Sequence, residues 1–200
     1  MTSTWLPRFG AICAILLGLS IGGPALVEAF TGETAATSFV LGIGATLGTP
    51  ALTVLYLHQA AAGGRFGLVA YAVNVVGLGL FAGVAFTLNL VLFYLEPAIV
   101  ERLLQGPTRV AFLVATAVFV AGTVLFAVSM ARSRIFPRPA VYGYGVALPL
   151  LAVLAPLPDT PLTSAVHVVA GASLIWLALP VLPRRTAVVH GADQAVPGKS

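Results

Sequence analysis

Charge is scarce in this chain. Ten basic and six acidic residues make up 8% of the 200, against about 25% in a typical soluble domain, so a soluble enzyme, a nucleic-acid module and a disordered chain are excluded. Cysteine is nearly absent: Cys13 stands alone, so no intrachain disulfide and no paired-cysteine metal or redox motif can form. Lysine occurs once, at Lys199, against nine arginines. The basic residues are spread over several short segments, whereas nucleic acid demands a clustered basic face. Catalytic signatures are missing too, with no GxSxG elbow, no HExxH and no phosphate-binding loop.

What remains is apolar. Hydrophobic residues form 59% of the chain and the mean hydropathy is +1.03. The charges divide it into six uncharged stretches, 9–27, 34–64, 66–95, 110–131, 139–158 and 160–183. Each reaches the roughly 20 residues that a helix needs to cross a bilayer. The expected fold class is therefore all-α, an integral membrane bundle of six transmembrane helices. Spans are expected near 11–30, 36–57, 68–95, 110–130, 140–157 and 162–182. Helices are favoured over a barrel because the runs are continuous rather than alternating.

The basic residues test this count. With the N-terminus in the cytoplasm, Arg8, Arg65, Arg132, Arg134, Arg138, Arg184, Arg185 and Lys199 fall inside, eight of ten, leaving Arg102 and Arg109 outside. That separation follows the positive-inside rule and puts both termini in the cytoplasm. Glu28, Glu33, Glu96, Glu101 and Asp159 gather on the opposite side. Residues 1–185 form the transmembrane domain and 186–200 a disordered cytoplasmic tail. Arg8, the apolar run Ala11–Leu19 and the small residue Ala29 also sketch a signal peptide, but the apolar character runs on to Phe30. The longest connection, Glu96 to Arg109, reads as a loop.

Glycines pair four apart at Gly18/Gly22, Gly44/Gly48 and Gly79/Gly83. Such spacing leaves one helix face without side chains, so that a neighbouring helix can come close. Pro24, Pro50, Pro149 and Pro180 should kink or end helices.

Ionisable groups inside spans are expensive and mark candidate function. Glu28, His58 and His167 qualify, with Asn74 and Asn89 as polar companions. By helical rise His58 and His167 differ in depth by more than roughly 20 Å, too far to hold one haem. His58, after Tyr56 and Leu57, reads as an interfacial anchor. Glu28, Asn89 and His167 form the candidate polar site, facing outward between helices, with Glu96 near the same level. No cofactor or metal is expected, the lipid bilayer is the surrounding partner, and nucleic acid is not a partner. The expectation is a bacterial plasma-membrane protein, a small transporter or ligand-binding protein. The alternative is a structural subunit that packs against a membrane partner or a second copy through its glycine faces.

Two stretches carry a resemblance. Leu55–Gly83 (LYLHQAAAGGRFGLVAYAVNVVGLGLFAG) puts an arginine in a glycine-containing turn before the third span, and Ala131–Leu154 (ARSRIFPRPAVYGYGVALPLLAVL) puts Arg134 to Arg138 in an Arg-x-x-x-Arg-Pro turn before the fifth. Together they resemble an uncharacterised family of small multi-pass membrane proteins of actinobacteria and related bacteria. The resemblance implies a multi-span helical fold and carries no active site with it.

Overall fold

The computed structural model describes residues 5–155 and 160–182. The tail 186–200, Asp159, Arg184 and Arg185 lie outside them. Among the described residues every regular element is helical: α1 (Trp5–Thr31), α2 (Ala35–Gly44), α3 (Gly48–Leu90), α4 (Pro97–Leu103), α5 (Pro107–Ser133), α6 (Arg138–Leu154) and α7 (Pro161–Ala178). Four helical runs, Trp5–Thr31, Ala35–Tyr94, Pro107–Ser133 and Pro161–Val181, are long and apolar enough to cross a membrane. α6, with 17 residues, sits at the lower limit of about 17 for a span.

The run Ala35–Tyr94 is folded in half. Gly64 has φ 54° and ψ −151°, a region essentially closed to residues with a side chain. The chain therefore reverses within one residue. Thr53 Oγ1 lies 3.0 Å from the Tyr71 hydroxyl, and the Tyr56 and Tyr71 rings stack at 4.3 Å. In an unbroken helix positions 53 and 71 would be about 27 Å apart. The two arms, 48–63 and 65–90, thus lie side by side. The first continues α2 through a 3-10 turn, Ala45–Leu47, which precedes Pro50, a residue with no N–H to donate back to Thr46.

Six rods follow in chain order: α1, α2 with the first arm, the second arm, α5, α6 and α7. Each packs on the next, and α7 returns to pack along α1, closing a ring. Glycine sets two of the crossings. At position 18 a methyl carbon would stand 2.5 Å from the Gly171 carbonyl oxygen, and at Gly122 it would stand 2.5 Å from Asn74 Cα. Backbones can approach this closely only where no side chain intervenes. Gly22 and Gly44 likewise face neighbouring helices, and Gly48 faces Leu78 of the second arm. Gly79 and Gly83, although spaced in the same way, have nothing within 4 Å.

The exterior is as apolar as the interior. Leu19, Val76, Leu113 and Val146, on four different rods, are each more than half exposed. So continuous an apolar surface is foreign to a protein in water.

Several boundaries differ from those expected. α1 starts at Trp5 rather than Ala11, its first turns held by stacked Trp5 and Phe9 rings one turn apart, 5.2 Å between centroids. The helix of the third expected span begins beyond Gly64 and ends at Leu90, followed by a 3-10 turn, Leu92–Tyr94. The connection 96–109 is not a plain loop but holds α4, started by Pro97 at its first position, where a missing N–H costs nothing.

Candidate functional site

The ring encloses a cavity of about 400 Å³, within the range of roughly 300–1,000 Å³ for small-molecule sites. Its lining runs from Glu28 to Leu17 on α1 and from Asn89 to Asn74 on the second arm. At 1.5 Å per residue these stretches are about 16 and 22 Å long, so the cavity is a shaft along the bundle rather than a pocket on its flank. Its walls are apolar, including Leu52, Leu78, Phe81, Leu148, Leu151 and Leu174. Phe81 and Phe119, both lining, stack at 4.6 Å.

Polar groups concentrate at the two ends. At the mouth, where α1 ends and α7 begins, the lining includes Glu28, Glu33, Asn89, Thr163 and His167. Local sequence positions them. Thr160 caps α7 with Thr163 in a reciprocal box, which satisfies donors otherwise orphaned at a helix start. One turn on, His167 Nδ1 lies 2.7 Å from the Thr163 carbonyl oxygen. A carbonyl only accepts, so Nδ1 donates, and in the neutral ring Nε2 keeps the lone pair. Asn89 Nδ2 likewise donates one of its two N–H groups to the Ala85 carbonyl at 2.8 Å, leaving the other N–H and Oδ1. Thr34 and Thr37 form a second reciprocal cap at the start of α2, and next to it Ser38 Oγ donates to Glu33 Oε1 at 2.7 Å.

At the deep end Asn74 is 1% exposed and its amide is used on both sides. Nδ2 donates to the Tyr144 hydroxyl at 2.7 Å and Oδ1 accepts from Thr123 Oγ1 at 3.2 Å. Three rods, the second arm, α5 and α6, are joined there by side-chain hydrogen bonds.

The sequence-selected residues Glu28, Asn89 and His167, from three rods, all line this cavity. Glu96 does not. It is exposed at the start of α4, whose Val100 lines the mouth instead. His58 lies outside the cavity, exposed, with its ring 5.4 Å from Phe136. Tyr144 and Thr123 were not singled out from sequence, since a tyrosine and a threonine in apolar helices carry no signal until a partner is known. Among the described residues no group of three His, Cys, Asp or Glu stands close enough to hold a metal ion.

A second polar group sits at the other end of the bundle. Gln59, fully buried, accepts from Ser133 Oγ at 3.2 Å, while its Nε2 and the buried Ser129 Oγ have no hydrogen-bond partner among the described residues. Arg132 lies over the Phe66 ring at 5.2 Å, a cation–π contact that holds the start of the second arm to the end of α5.

The chain matches no protein-family model, no curated protein and no solved structure.

Proposed function

We propose that the protein is a six-span helical protein of the bacterial plasma membrane, with both termini cytoplasmic, that binds a small ligand in a cavity open to the outside, as a small transporter does. One observation carries this reading: Glu28, Asn89 and His167 line a single cavity at the centre of a closed ring. The charge distribution supports the orientation. Arg8, Arg65, Arg132, Arg134 and Arg138 lie at the ends of rods opposite the cavity mouth, whereas Glu28, Glu33, Glu96 and Glu101 lie at the mouth end. Basic residues favour the cytoplasmic side, so the mouth faces out.

Thiol labelling tests this. In a Cys13→Ala background, Asn89→Cys is expected to react with a membrane-impermeant maleimide added to intact cells, and Leu174→Cys, deeper in the shaft, much more slowly. Labelling of Asn89→Cys only from the cytoplasmic side of inverted vesicles would refute the outward cavity. Reporter fusions after Arg65, Arg138 and Arg185 should report cytoplasm, and one after Arg109 the exterior.

A specific observation favours a second role alongside this one. The uncovered Gly79/Gly83 face of the second arm, unlike the other glycine pairs, meets nothing within 4 Å among the described residues, and it suits close approach of a second copy. Cross-linking through Val76→Cys in membranes would yield a covalent dimer, and a strictly monomeric pattern would discard that role.

A further inference from the structure

The proportions of the shaft restrict what can lie in it. From Asn89 at the mouth to Asn74 at the floor it runs about 22 Å, and its volume is about 400 Å³. The mean cross-section is therefore about 18 Å². A file of carbon atoms at contact distances of 3.5–4.0 Å occupies about 10–13 Å², so one extended chain passes and two abreast do not. Along this length Ile21, Leu52, Leu78, Phe81, Leu148 and Leu151 line the wall, and hydrocarbon between them makes the dispersion contacts that a void forfeits. At the floor Asn74 is hydrogen-bonded to Tyr144 and Thr123. Phe126 and Met130, one and two turns further along α5, are fully buried, so close packing resumes below it. At the mouth Asn89 keeps one N–H and Oδ1 after donating to Ala85, and it can both give and accept a hydrogen bond, as a hydroxyl does in return.

From these features we infer that the ligand is a single-chain amphiphile, an unbranched hydrocarbon chain lying extended in the shaft with a hydroxyl-bearing head at Asn89. The chain has about 13 to 18 carbons: the lower figure is the volume shared at about 30 Å³ per group the size of a water molecule, and the upper is the length at about 1.2 Å per bond of an extended chain. A diacyl lipid has the same hydrocarbon, but the ring of rods is closed and the shaft opens at its end. Its second chain would be left at the mouth beside Asn89 and Thr163, away from the bilayer core. This inference rests on the cavity being a ligand site, and the following measurement separates the two.

Full-length protein in zwitterionic nanodiscs is loaded with tritiated dodecanol, with empty nanodiscs as baseline, and unlabelled primary alcohols from octanol to eicosanol compete at equal mole fraction in the lipid. Displacement should strengthen with length, peak between about 13 and 18 carbons and weaken beyond, where the surplus is forced out past the mouth. Gly48 faces Leu78 and Thr53 meets Tyr71, so Leu52 lies level with Asn74 at the floor. Leu52→Trp should therefore move the peak to shorter chains and Leu52→Ala to longer ones. Octanol should displace as before in both, which also reports that each variant is folded. Tetradecane, which lacks the hydroxyl, should compete less well than tetradecanol, and ditetradecanoylglycerol, with the same head on two chains, less well still. A peak outside the stated range, or one that stays in place in both Leu52 variants, overturns the chain assignment and leaves the cavity reading intact. Saturable binding of the compact alcohol adamantanol in place of the linear ones does the same. Equal competition by tetradecane overturns the head assignment, and equal competition by the diacyl compound overturns the single-chain assignment. No saturable binding of any alcohol, linear or compact, overturns both the inference and the ligand-site reading.

Discussion

Replacing Gly18 by alanine adds one methyl group at the seam where the ring closes. The new carbon would lie 2.5 Å from the Gly171 carbonyl oxygen and 2.7 Å from Ile175 Cγ1. Contact without crowding begins near 3.4 Å, so the two backbones must part by the difference, about 0.9 Å, or the helices must slide. The crossing is equally tight from the other side, where a methyl at Gly171 would press on the Gly18 oxygen and lie 3.0 Å from Gly22 N. Overpacking of this kind costs about 1–3 kcal/mol. Between membrane helices no hydrophobic term compensates, since lipid is as apolar as the seam. Gly79→Ala is the matched comparison. It makes the same chemical change in the same four-residue spacing, yet meets nothing within 4 Å, and helix propensity favours alanine by up to about 1 kcal/mol. Thermal unfolding in mild detergent, followed by loss of the monodisperse species, should show Gly18→Ala well below the wild type and Gly79→Ala level with it or above. If the two variants melt together, the Gly18–Gly171 crossing does not carry the stability assigned to it.

Three further outcomes are expected. Asn74→Ala strands the Tyr144 hydroxyl and Thr123 in the interior and should cost about 1–3 kcal/mol; restored stability in Asn74→Ala combined with Tyr144→Phe and Thr123→Val would confirm the cause, as would unfolding curves for each step. Gly64→Ala, where φ is 54° and no atom lies within 4 Å, should lose about 1–3 kcal/mol through backbone strain alone. Gly63→Ala, with an ordinary 3.5 Å contact to Ser129 Oγ, should lose less, and equal folded yields for the two would contradict the strain argument. Ser129→Ala removes a buried hydroxyl that has no hydrogen-bond partner and should be neutral or stabilising by up to about 1 kcal/mol; a loss above that in the same melting assay would reveal an interaction not accounted for.

How much of this was legible in the sequence depends on the range of the interaction. Helices over Trp5–Thr31 and Pro107–Ser133 follow from uncharged stretches, because backbone hydrogen bonding without water leaves few alternatives. The reversal at Gly64 lies where Arg65 interrupts the apolar run, but the arms' near-continuous helix was hidden. A single glycine at positive φ replaced an expected connection of about ten residues, and glycine pairs such as Gly63-Gly64 carry no mark of which one turns. α4 was missed because seven residues between prolines and charges read as loop. Gly18/Gly22 and Gly79/Gly83 are alike in spacing and opposite in use, since what faces a helix depends on the order of rods in the ring. The same holds for the polar residues. Cost inside a membrane singled out Glu28, Asn89 and His167, but only the ring's closure determines which cavity they line. Asn74 stood out as a polar residue within a span, while its partners Thr123 and Tyr144, 49 and 70 positions away, did not.

The seam between α1 and α7 joins the first described rod to the last. As the chain is synthesised from its N-terminus, α1 is left with its glycine face uncovered until Pro161–Ala178 has been made. Long-separation contacts of this kind are slow to form and leave surface open to wrong partners meanwhile. A chain cut short before α7 would thus present an open trough, lacking His167, with the Gly18/Gly22 stripe exposed to any passing helix. The cavity closes only when α7 packs, and quality control that senses an unpaired α1 would be sensing an open cavity.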